Sequence, residues 1–111
     1  ILMSGLEDSP IENIRFENLQ IRSTAGVVGT HVKGLKFSDL KLEVSRGPMF
    51  QLNDASQVVI HKVNPPPNTD VFLQLDGAHS RGNRVEASDL TGAKRKVVAG
   101  QGVSADAVQF P

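Results

Sequence analysis

Ile14-Arg15-Phe16-Glu17-Asn18-Leu19-Gln20-Ile21 returns 21 residues later as Leu35-Lys36-Phe37-Ser38-Asp39-Leu40-Lys41-Leu42. Both octets read apolar-x-apolar-x-(Asn/Asp)-apolar-x-apolar. Within Ile14/Phe16 and Leu19/Ile21 the period is two, which puts each pair on one face of a strand. Three positions separate Phe16 from Leu19, so a straight strand would turn Leu19 to the opposite face. A bend at the Asn/Asp position returns both pairs to a common interior. Asn and Asp suit that bend because they tolerate the left-handed backbone of a tight corner.

Two weaker copies follow. Val58-Val59-Ile60-His61-Lys62-Val63 lies 23 residues beyond the second octet, with Lys62 breaking the corner rule, and ends before Pro65. Val85-Glu86-Ala87-Ser88-Asp89-Leu90 lies a further 27 residues on and puts Asp89 at the corner. Between copies stand further apolar segments, Val27-Val28, Met49-Phe50-Gln51-Leu52, Val71-Phe72-Leu73-Gln74-Leu75 and Val97-Val98. Each repeat therefore holds about three short strands, joined at corners such as Gly26, Gly47-Pro48 and Asp76-Gly77. The spacing predicts an all-β chain: a right-handed parallel β-helix (solenoid) of four to five coils, with a period of 21–27 residues.

Helices are disfavoured by the absence of a sustained i, i+3, i+4, i+7 stripe and by the Val, Ile, Gly and Pro content. Leucine-rich repeats share the period but need a Leu/Asn framework that is missing. An antiparallel two-sheet sandwich is the structural alternative. Register favours the β-helix, because like residues stack on like only when successive coils run parallel.

Over 111 residues, twelve basic side chains balance twelve acidic ones. No basic footprint for nucleic acid or an anionic membrane follows from that balance. Lys94-Arg95-Lys96, the one basic run, reads as a solvated turn. The chain has no cysteine, so disulfides and Cys-based zinc sites are excluded. No apolar run of roughly 18 residues is present to cross a membrane as a helix. Ile1-Leu2-Met3-Ser4-Gly5 lacks the basic start and long apolar core of a signal peptide. The expectation is one β-helix segment over residues 1–111, the C-terminal part of a larger domain, irregular and polar through Ala93–Gly102 and open at Ile1.

Ser9-Pro10-Ile11-Glu12-Asn13-Ile14-Arg15-Phe16-Glu17-Asn18-Leu19 resembles the coils of the polygalacturonase family, glycoside hydrolase family 28, with its pectin-lyase-like fold. Val71-Phe72-Leu73-Gln74-Leu75-Asp76-Gly77 resembles the last regular coils of bacterial members. The resemblance implies an inverting hydrolase of pectic polysaccharides, secreted or periplasmic, without a cofactor. Inversion needs an acid and a base carboxyl roughly 6.5–9.5 Å apart. The family's motifs are Asn-Thr-Asp, paired aspartates, Gly-His and Arg-x-Lys. Only Asn68-Thr69-Asp70 occurs here. It follows Pro65-Pro66-Pro67 and reads as a turn. Gly77-Ala78-His79 and Lys94-Arg95-Lys96 do not match, and no Asp-Asp exists. No catalytic residue is therefore assigned to this chain.

Other groups lead to ordinary roles. His31, His61 and His79 are expected to face solvent, with no three-ligand metal site. Asn53-Asp54 and Asp76 lie one register apart and read as corners, with sugar hydrogen bonding or a weak calcium site as the alternative. Phe16, Phe37, Phe50 and Phe72 are expected in the core, and the chain has no Trp or Tyr to form a sugar platform. Gly100-Gln101-Gly102 lacks the third glycine of a dinucleotide fingerprint. The expected role is structural, as the closing coils of a polysaccharide hydrolase, partnered by further coils or by self-association at the open end. A non-enzymatic adhesin or tailspike segment and a small carbohydrate-binding module are the alternatives.

Overall fold

The computed structural model describes residues 1–100, 102–104 and 106–110. Within these the chain is all β. The first turn holds β1 (Leu2–Ser4), β2 (Ile11–Glu12), β3 (Arg15–Glu17) and β4 (Gln20–Ser23). The second holds β5 (Val27–Lys33), β6 (Lys36–Ser38) and β7 (Lys41–Val44), and the third β8 (Phe50–Ser56) and β9 (Val59–His61). β10 (Thr69–Asp76) and β11 (Asn83–Glu86) make the fourth turn, with β12 (Ala93–Ala99) and β13 (Val108–Gln109) closing the stack.

Like strands lie above like strands, in the orders β1-β5-β8-β10-β12, β13-β11-β9-β6-β3 and β4-β7, with β2 beside β5. Every strand pair is parallel. Among the described residues the single antiparallel contact is an isolated bridge, Leu6 to Ser9. This excludes the sandwich of hairpins and makes the molecule a parallel β-solenoid of about five turns.

The octet register holds: Phe16 stacks on Phe37 and Phe37 on Ile60. Asn18 and Asp39 turn the corner at φ 54° and 55°. Lys62 takes the same conformation at φ 54°, although its type does not favour it. The fourth corner is Ala87, at φ 50°, and not Asp89. Val85 lies above Ile60, 25 residues on, so the expected 27-residue step is two too long. The reason is chemical. At the positions above Val58 and Val63 the fourth turn carries Asn83 and Ser88, so the apolar pattern no longer marks the register. Asp89 instead forms a turn with Thr91, whose N–H donates to its carboxylate and holds its pKa below the usual aspartate value.

A second left-handed column, Asn13, Gly34, Gln57 and Gly82, turns the corner before the octets. The third sheet stops after β7. Val63-Asn64-Pro65-Pro66-Pro67 occupies its place in the next turn, and prolines supply no N–H to a ladder.

The core runs as columns of buried side chains, among them Leu35 with Val58 and Leu52 with Leu75. Phe37, Phe50 and Phe72 are fully buried, as expected, and Phe16 is partly buried. Their rings form a continuous spine with centroid steps of 5.0, 5.3 and 5.5 Å. The first pair is nearly parallel because Phe16 and Phe37 share one register position. The other two are tilted, which aromatic quadrupoles favour.

The two ends of the stack differ. At the first turn Leu2 is 78% exposed, Leu6 66%, Leu19 38% and Ile14 37%. Toward the last turns polar side chains enter the columns. Buried Asn83 accepts from the Val58 N–H through Oδ1 and donates through Nδ2 to the Ala55 and Ala107 carbonyls, each at 3.0 Å. The hydroxyls of Ser80 and Ser88 accept from the N–H groups of Ala55 and Val63. Lys94-Arg95-Lys96 is no turn. It lies exposed in β12, the outer strand of its sheet, and Ala93–Ala99 is correspondingly regular. Beyond it, Gln101 lies outside the described residues.

Candidate functional site

The densest group of ionisable side chains lies at the corner that follows the longest sheet. There the register brings His31, Asp54 and Gly77 to equivalent places on successive turns. His31 and Asp54 both adopt left-handed backbone, at φ 51° and 49°. Gly77 follows at φ 91°, and a Cβ there would sit 2.2 Å from Asp54 Oδ1 and 2.7 Å from Asn53 Oδ1. Glycine at this place is what lets both oxygens approach the backbone.

Asp54 is the hub. Its Oδ1 accepts the His79 backbone N–H at 3.2 Å and lies 3.5 Å from His79 Nδ1. Its Oδ2 lies 3.9 Å from His31 Nδ1 on the other side. The Asp54 and His31 side chains are 21% and 28% exposed, whereas that of His79 is 75% exposed. The expectation that all three histidines face solvent is therefore corrected for His31, which packs into the corner against Asp54. His61 lies apart, in β9.

This group opens into a cleft of about 230 Å³ that also includes Glu7, Lys33, Ser56 and Arg81. Lys33, Ser56 and Arg81 border a second cleft of about 430 Å³, which continues to Arg84, Asp106 and Gln109. The two form a polar corner furrow. A carboxylate flanked by two imidazoles can orient them and pair with them when they are protonated. Among the described residues no three His, Cys, Asp or Glu side chains converge as a metal ion would require.

The other sequence candidates are separate. Asn53 pairs with Asp76 in register, and Gln74 Nε2 donates to Asp76 Oδ2 at 3.1 Å. Those two share the sheet face, while Asp54 turns to the corner. Asn68-Thr69-Asp70 begins β10 and makes a turn: Asn68 is left-handed at φ 70°, and the Thr69 hydroxyl donates to the Pro66 carbonyl at 2.7 Å. Asp70 pairs with Arg95 of the next turn at 3.2 Å. Gly100 packs against Asp76, and Gln101 of the Gly100-Gln101-Gly102 run lies outside the described residues.

The His31–Asp54–His79 group was hidden in the sequence by its separations. Asp54 lies 23 residues after His31 and 25 before His79. Those are the coil periods, so only a correct register for the later turns reveals the convergence.

No family model, no curated protein and no solved structure matches this chain.

Proposed function

We propose that the chain is the closing end of a longer parallel β-solenoid, of the polygalacturonase-like polysaccharide hydrolase type, and that its part there is structural. One observation carries this reading: the asymmetry of the two ends. The first turn leaves Leu2, Leu6, Ile14 and Leu19 exposed, as a surface on which another coil can stack. The last turns replace apolar columns with Asn83, Ser80 and Ser88, whose side chains occupy backbone hydrogen-bonding groups. Repeat arrays need such polar terminal units.

The engagement of Asp70 with Arg95 and of Thr69 with Pro66 supports a structural role for the one family-like motif. The corner furrow likewise offers one carboxylate between imidazoles, a different arrangement from two opposed carboxyls around a water.

Polygalacturonate incubated with the chain should yield no new reducing ends over hours. Turnover that disappears in Asp70→Asn would overturn the reading and make Asn68-Thr69-Asp70 a working site.

A further inference from the structure

The register that assembles the His31–Asp54 corner also builds a column of charge beside it. Glu12 pairs with Lys33, Lys33 with Ser56, and Ser56 with Arg81. These residues occupy one position on successive turns, so neighbouring backbones are about 4.8 Å apart and Lys33 and Arg81 about twice that. Ser56 lies between them.

Among the described residues neither Lys33 nor Arg81 has a carboxylate within ion-pair distance, although the cations around them are committed. Arg84 meets Glu86 at 3.5 Å, and Arg95 meets Asp70 at 3.2 Å. Asp106, the acidic group of the larger cleft, receives the Ser104 hydroxyl. Asp54 is held by the two histidines. Lys33, Ser56 and Arg81 border both clefts, so they form the shared wall of the furrow. At the corner below them Gly82, left-handed at φ 67°, presents no side chain to narrow the opening.

We infer that this wall is a binding site for an anionic oxygen group, a carboxylate or phosphate. The group sits over Ser56, between the Lys33 ammonium and the Arg81 guanidinium. Two cations about 10 Å apart bracket such a group without touching each other, and the Ser56 hydroxyl supplies a donor between them. Arg81 is the stronger partner, because its planar fork engages two oxygens at once. The inference goes beyond the solenoid-end reading and does not depend on it.

Calorimetry on the whole chain at low salt tests it with three probes: trigalacturonate, a neutral galactose trisaccharide and inorganic phosphate. Trigalacturonate should bind and the neutral sugar should not. Arg81→Gln should weaken binding by about tenfold or more, and Lys33→Gln by less. Both side chains are exposed, so thermal midpoints should stay within about 2 °C of the parent. Binding of phosphate alone, lost in the same variants, upholds the site and assigns it a free anion in place of a polymer. No binding by any probe overturns it. So does equal binding of the neutral sugar, or binding unchanged in Arg81→Gln and Lys33→Gln. Hydrolysis of polygalacturonate would sink the structural role proposed above and leave this site standing.

Discussion

Asn83 shows how one side chain can substitute for a missing hydrophobic contact. Its neighbour in the column below, Val58, contributes burial; Asn83 contributes hydrogen bonds to three separate backbone groups. Two of these have second partners, since the Ala55 carbonyl also accepts from Arg81 N and the Ala107 carbonyl from Asn83 N. The Val58 N–H has only the Asn83 side chain. Asn83→Leu should therefore strand one buried donor and cost about 2 kcal/mol after the apolar gain. Asn83→Asp keeps that acceptor but turns a charge toward two carbonyls, and should cost more. Urea unfolding midpoints measure both; a neutral Leu variant would show that the amide does not order the fourth turn. Asn83 also marks where the sequence stops being legible. Asn18 and Asp39 announce their corners by residue type, whereas Lys62 and Ala87 adopt the same backbone only because the stacked turn below imposes it. Propensity for left-handed backbone is worth about 1–2 kcal/mol, less than the burial and ladder bonds that fix the register.

At the scale of the strand, β12 explains a misreading. Three consecutive cations look like a turn when the neighbours in space are unknown. In an outer strand the same cations protect unpaired backbone groups from another sheet edge. Lys94 and Lys96 make no ion pair among the described residues, and the exposed Arg95–Asp70 pair contributes at most about 1 kcal/mol. Lys94→Val combined with Lys96→Val should leave the unfolding midpoint nearly unchanged and promote aggregation, seen as rising light scatter at neutral pH. A soluble double variant would show that the β12 edge needs no charge. The segments the sequence revealed best are those with their apolar face intact, β3, β6 and β9 with the strands before them.

For the whole molecule, the first turn dominates solution behaviour. Leu2 and Leu6 are more exposed than any other large apolar residues of the described chain. The strand edges of β1, β3 and β4 lie at that same end. Association should increase with protein concentration in sedimentation velocity. Leu2→Ser together with Leu19→Ser should shift the population toward monomer, and an unchanged distribution would place the contact elsewhere. The parallel stack and its core spine were readable from the repeat, while the polar furrow depended on turns whose pattern had faded.

The steps along the octet column are 21, 23 and 25 residues, from Phe16 to Phe37 to Ile60 to Val85. Each circuit is two residues longer than the one before. Because side chains alternate with a period of two, an even increment widens the loop without exchanging inside for outside. The stack is therefore tapered. A narrow first circuit does not match the outline of a wide last one, so identical copies cannot thread onto one another head to tail as a continuous column. Open filaments require such a repeating junction, and the taper denies it, which confines association between copies to closed, finite particles.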